Sequence, residues 1–141
     1  MLVLVAVLAV FAAPRVFTTP SFTLPALAAQ LMANIRYTQS LSMSRGQRYR
    51  INFTATTYQI TDMSGVPIVQ PLTAGTGAIS VSPASLTGFN PPLTNSYIAF
   101  DGNGVPYTSA TAALAGAAAI TLTSGSDASS ILIAPETGRV K

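Results

Sequence analysis

The sequence predicts an α+β protein in which an N-terminal apolar helix and a second, amphipathic helix pack on an antiparallel β-sheet head. Three observations carry that prediction. The run MLVLVAVLAVFAAPRVF opens the chain, a helical period begins at Leu24, and the period changes to two beyond Gly46. The order suggests a membrane-held stalk carrying a β-rich head. Residues 1–19 are then the apolar helix and residues 20–141 the head, with the amphipathic helix at about 24–45 and strands over 48–141.

From Met1 to Ala13 no side chain is polar or charged, which excludes an ordinary surface helix. A membrane-crossing helix needs roughly 20 apolar residues, and this run is shorter. A secretory signal peptide needs a positively charged start, whereas Met1 leads straight into Leu2. Cleavage after Ala12 or Ala13 would also leave proline next to the junction. A signal peptide with an abbreviated start and a buried helix remain open. The reading that fits the rest of the chain best is the C-terminal part of a longer membrane helix.

Composition narrows the class. A chain of 141 residues is one domain in size, and Leu, Ile, Val and Phe suffice for a core. Only 8% of residues are charged, against about 25% in an average soluble protein, which suits an extracytoplasmic surface or a subunit buried in an assembly. The absence of cysteine excludes a disulfide framework and thiolate metal ligands. The net charge of +3 is a mild excess and a weak argument for a polyanionic partner.

After Pro14 the segment VFTTPSFTLP interrupts any continuous helix at Pro20 and Pro25. Leu24, Leu27, Leu31, Ile35, Thr38 and Leu41 then recur at three- and four-residue steps, with Gln30, Asn34, Arg36 and Gln39 mostly on other faces. Thr23 can cap this helix and Pro25 fits its first turn. Arg45 and Gly46 supply a cationic last turn and a left-handed stop. Beyond it, Tyr49, Ile51 and Phe53 alternate with Arg48, Arg50 and Asn52, as in a half-buried strand. A turn at Ala55-Thr56 leads to Tyr58 and Ile60 on a second strand, and Ile79 and Val81 mark a third. SPASLTGFNPPLTN reads as a loop. YIAF reads as a strand closed by a type I′-like turn at Asp101-Gly102-Asn103-Gly104. The clearest pair is AITLT and SSILIA around Ser124-Gly125-Ser126-Asp127, a hairpin with Ile120, Leu122, Ile131 and Ile133 inward. PETGRVK gives a last turn and a short extended tail.

These residues carry a resemblance. The chain resembles the type IV pilin and pseudopilin superfamily, and within it the GspH/FimT type of minor pilin. The run ending in Ala13-Pro14-Arg15 is similar to the exit of the pilin N-terminal helix. LAAQLMANIRYTQSLSMSRGQRYRINF is similar to the family's amphipathic helix half and first strand. YIAFDGNGVPY and ITLTSGSDASSILIAPETGRV resemble its closing strands, with their threonine-glycine-arginine ending. The family's basic leader, glycine-phenylalanine processing site and early glutamate do not precede Leu2, so the expectation is a reading frame that begins upstream.

The resemblance implies a structural subunit without catalysis and without a cofactor or small-molecule substrate. It is held in the inner membrane and periplasm, then built into a filament with other pilin or pseudopilin subunits. Leu2, Val3, Leu4, Val5, Val7, Leu8, Val10 and Phe11 would form the assembly face of its helix. The residues agree on catalysis: without histidine or cysteine there is no imidazole base, thiolate nucleophile or common transition-metal ligand. The four acids are scattered along the chain, and Asp101-Gly102-Asn103-Gly104 lacks the further acids of a calcium loop.

Two other expectations stand beside the subunit. A pilus-borne DNA receptor would use Arg45, Arg48, Arg50, Arg139 and Lys141, the last two suspected because some FimT-like members take up DNA through C-terminal basic residues. Their simpler reading is solvated strand-edge charge that discourages aggregation. A secreted β-rich domain with an ordinary signal peptide would begin near Pro14.

Overall fold

The computed structural model describes residues 23–71, 75–90, 92–93 and 95–141. The expected apolar helix over residues 1–19, with its assembly face from Leu2 to Phe11, lies outside the described residues.

Helix α1 runs Leu24–Arg45, the bounds its sequence predicts. Pro25 sits in the first turn, where an amide has no intrahelical partner to lose. Thr23, expected to cap through its hydroxyl, makes no side-chain cap. Its carbonyl instead accepts the Ala26 and Leu27 amides at 2.8 and 3.1 Å. Gly46 ends the helix in the left-handed conformation, φ 61°, donating its N–H to the Ser42 carbonyl.

Leu27, Leu31, Ile35, Thr38 and Leu41 are buried as their spacing predicts, and Leu24 is half-buried. Asn34, placed by the sequence on another face, is also fully buried. The helix packs on strands of both sheets, so its buried arc is wider than one leucine stripe and takes in Ala28, Asn34 and Ser42. The polar members need partners in that setting. Asn34 Nδ2 donates to the Tyr58 hydroxyl at 2.7 Å, and the Thr38 and Ser42 hydroxyls donate one turn back to the carbonyls of Asn34 and Thr38 at 2.8 and 2.9 Å.

Burial pushes the Tyr58 phenol above its ordinary range, and the Asn34 N–H offsets part of that rise. An acid with a raised folded pKa stabilises fully below its unfolded value. As pH climbs past about 10 the unfolded chain releases the proton and the folded chain resists, so stability falls. Urea midpoints are expected to drop above about pH 10, and Tyr58→Phe to flatten the drop. An equal slope in the variant would refute that origin.

Two antiparallel sheets form the head, where the sequence predicts one. Strands β1 (Tyr49–Phe53), β2 (Thr57–Asp62), β3 (Ile79–Ser80), β5 (Tyr97–Phe100) and β6 (Pro106–Tyr107) make the first, in the order β3-β2-β1-β5-β6. Strands β4 (Ser85–Asn90), β7 (Ala118–Ser124) and β8 (Asp127–Ile133) make the second, in the order β4-β7-β8. Tyr49, Ile51, Phe53, Tyr58 and Ile60 from the first sheet, and Ile120, Leu122, Ile131 and Ile133 from the second, face inward as predicted. Each fully buried aliphatic side chain among them stabilises by about 1.5–3 kcal/mol. The sheets meet at the β1–β2 turn, where the Leu86 N–H of β4 donates to the Ala55 carbonyl at 2.8 Å; the neighbouring Thr56 carbonyl accepts the Val81 N–H at 2.9 Å and extends the β2–β3 pairing. The Phe53 and Phe89 rings close the junction with centroids 5.2 Å apart.

Strand β4 corrects the sequence reading of SPASLTGFNPPLTN as a loop. Its register against β7 shifts between Leu86 and Gly88, a bulge that breaks the two-residue period by which a strand is recognised. The turn after β5 is also not type I′. Of its residues only Gly104 has positive φ, 80°. Asp101 Oδ1 accepts the Asn103 and Val105 amides, both at 2.9 Å, and so holds residues 102 and 103 without left-handed backbone.

The C-terminal tail returns along β8. Leu132 and Lys141 exchange N–H···O bonds at 2.9 Å, and the Ala134 amide donates to the Arg139 carbonyl at 2.9 Å. The Val140 carbonyl, which points away from β8, accepts from Arg36 Nη2 at 2.8 Å. Gln39 Nε2, one helical turn on, donates to the carbonyls of Gly104 and Thr137 at 2.9 and 2.8 Å. One face of α1 thereby holds both the β5–β6 turn and the tail.

Candidate functional site

The five cations singled out by the sequence lie apart: Arg45 ends α1, Arg48 and Arg50 go with the first sheet, and Arg139 and Lys141 lie on the tail beside the second. Arg45, in the last turn of α1, lies 5.9 Å from the centre of the Tyr49 ring and donates to its hydroxyl at 3.3 Å. Because Tyr49 is an inward residue of β1, Arg45 belongs to the core side of that strand.

Arg48 and Arg50 take the opposite, outward face. The Arg48 guanidinium stands 4.0 Å from the Tyr107 ring centre and donates from Nη1 to the Ala110 carbonyl. The Arg50 guanidinium stands 5.0 Å from the Tyr97 ring centre, its Nε donating to Thr61 Oγ1 at 3.2 Å. Thr61 Oγ1 also accepts Asn52 Nδ2 at 2.9 Å. The register explains the grouping: Arg50 is opposite Thr61 on one side and Ala99 on the other, and Ala99 is opposite Tyr107. Ala99 is fully buried, because the larger side chains around it cover that part of the outward face.

Sequence reasoning put Arg48 and Arg50 on one face but found no aromatic beside them, since Tyr49 points the other way. Tyr97 and Tyr107 fill that role from strands distant in the chain. A period-two reading of YIAF and of VPY holds no sign of the pairing, which follows only from the order β1-β5-β6.

Arg139 and Lys141 are exposed on the tail and, with Ala117, Leu132 and Ala134, line a shallow cavity of about 150 Å³. Leu132 is unusually open for its size, at 48% exposure. Arg36, which the sequence offered only as a polar-face residue, is the cation that contacts this tail.

Among the described residues no group of His, Cys, Asp and Glu could hold a metal ion, and no helix is long and apolar enough to cross a membrane. The carboxylates of Asp62 and Asp101 serve the backbone. Asp62 Oδ1 accepts the Val66 amide at 2.8 Å, and Asp101 holds its own turn.

One long amphipathic helix laid across small antiparallel sheets makes a pilin-like α+β fold. The crystal structure of FimU, a type IV minor pilin of Pseudomonas aeruginosa, shares it with a TM-score of 0.59 at 14% identity, over 84% of this chain and 90% of FimU. The family described as Type II transport protein GspH matches residues 27–137, and the chain belongs to that family. The pilin and pseudopilin class it falls in consists of structural subunits rather than enzymes. No curated protein matches the chain.

Proposed function

We infer that the chain is a minor pilin or pseudopilin, a non-enzymatic subunit of a type IV pilus or type II secretion filament. The observation that carries this is family membership over residues 27–137. In this reading residues 1–19 are the filament-core segment and residues 20–141 the head. Leu2, Val3, Leu4, Val5, Val7, Leu8, Val10 and Phe11 pack among the helices of neighbouring subunits after a period in the inner membrane. Burial at about 25 cal/mol per Å² favours such packing, although the membrane already satisfies much of it.

The test follows a tagged chain, expressed from its own locus in its own host, through medium, membranes and sheared filaments. The expected result is recovery from membranes and filaments. Val7→Asp with Leu8→Asp is expected to remove it from the filaments while the head still melts cooperatively. Recovery from the medium of a chain beginning near Pro14 would refute the reading in favour of a secreted domain. The DNA-receptor reading draws less support, because the five cations do not form one track for a phosphate backbone.

A further inference from the structure

We propose that the outward face of the five-stranded sheet, centred on Arg48 and Arg50, is a docking surface for an acidic, extended segment of a different subunit. The proposal rests on the subunit reading and names the kind of partner that this surface takes.

Residues two apart in extended chain project from one face about 6.7 Å apart, and Arg48, immediately before β1, and Arg50, within it, share the outward face at that backbone spacing. Each is already ordered: Arg48 by the Tyr107 ring and the Ala110 carbonyl, Arg50 by the Tyr97 ring and the Thr61 hydroxyl. A long side chain fixed before binding loses little further entropy on contact. An arginine carries five N–H donors in a planar fork, and these bonds use one on each residue. The remaining donors suit carboxylates, which a fork binds through two parallel bonds. Glutamates or aspartates at alternate positions of an extended segment would match the pitch of the two arginines.

The partner is acidic because this chain does not neutralise the pair: the two arginines contact rings, a carbonyl and a hydroxyl, while Asp62 and Asp101 hold backbone amides. It is a different subunit because the four acids of this chain, Asp62, Asp101, Asp127 and Glu136, include no two at alternate positions. It is a protein rather than a nucleic acid because the guanidiniums cover the tyrosine rings on which bases would stack. Arginine and tyrosine are also the residues that concentrate binding energy at protein interfaces.

The experiment uses the full chain in detergent micelles. Its probes are a labelled peptide with glutamate at alternate positions, the same peptide with glutamine, and a short oligothymidylate. The glutamate peptide is expected to bind in a salt-dependent manner, and the glutamine peptide at least about tenfold more weakly. R48Q/R50Q is expected to lose about tenfold or more, and R139Q/K141Q to change little. R48K/R50K, which keeps the charge without the fork, is expected to lose most of the affinity while melting like the parent chain. Equal binding by R48Q/R50Q, full binding by R48K/R50K, or tighter binding of oligothymidylate than of the glutamate peptide would each overturn the proposal. Recovery of the parent chain from the medium with peptide binding intact would remove the subunit reading and leave the surface. A chain that enters filaments yet ignores the peptide would do the reverse.

Discussion

Gly138→Ala is expected to destabilise the head by about 3 kcal/mol or more, lowering the melting temperature by roughly 10 °C or more. Two independent costs meet there. Gly138 has φ 62°, a conformation that an alanine adopts only with strain. A Cβ on it would also lie 2.5 Å from the Gly104 carbonyl oxygen, closer still to Gln39 Nε2, and 3.0 Å from the edge of the Phe100 ring. The carbonyl belongs to a turn held by Asp101, and Gln39 is committed to that same carbonyl and to Thr137, so neither neighbour can yield without losing a hydrogen bond. Thermal and urea unfolding of the variant measure the loss. A change below about 1 kcal/mol would show that the tail is not clamped against the β5–β6 turn.

Leu31→Ala is expected to cost about 2–5 kcal/mol. Leu31 is fully buried at the middle of the helix face that contacts β1 and β5 on one side and β7 and β8 on the other. Both sheets are held by their own ladders, so the walls of the new cavity would not collapse readily, and the cost falls toward the upper part of that range. Urea denaturation with an unchanged slope and a lowered midpoint is the expected signature. Loss of only a few tenths of a kcal/mol would mean that the two sheets pack on each other rather than through the helix.

The helix and most strands were legible because each has a strong local signal. Apolar residues at three- and four-residue steps from Leu24 to Leu41 mark α1, and the alternation through Tyr49, Ile51 and Phe53 marks β1. Strand β4 was hidden because its bulge at Leu86 and Gly88 removes the alternation, and the prolines around it read as loop. Asn34 was misplaced for a different reason. A pattern reading assigns polar residues to solvent, whereas burial depends on how many partners a helix has; contact with both sheets buries Asn34, and the Tyr58 hydroxyl on β2 accepts one of its amide hydrogens. The cationic face was half legible: the register placed Arg48 and Arg50 together, but the tyrosines beneath them come from pairings set by the whole fold.

The Arg36 bond to the Val140 carbonyl has a consequence for life in a crowded array. Filaments bring identical heads to very high local concentration, the condition under which an open strand edge recruits its neighbour and converts assembly into irreversible fibre growth. Here the guanidinium occupies the Val140 carbonyl of the C-terminal tail that lies along β8. The opposite sheet ends in strands of only two residues on both sides, one of them opening on Pro106, which has no N–H to offer. On the subunit reading, where heads would crowd together, that arginine and those two short strands leave β4 as the one long strand edge of the described head that could recruit a neighbour.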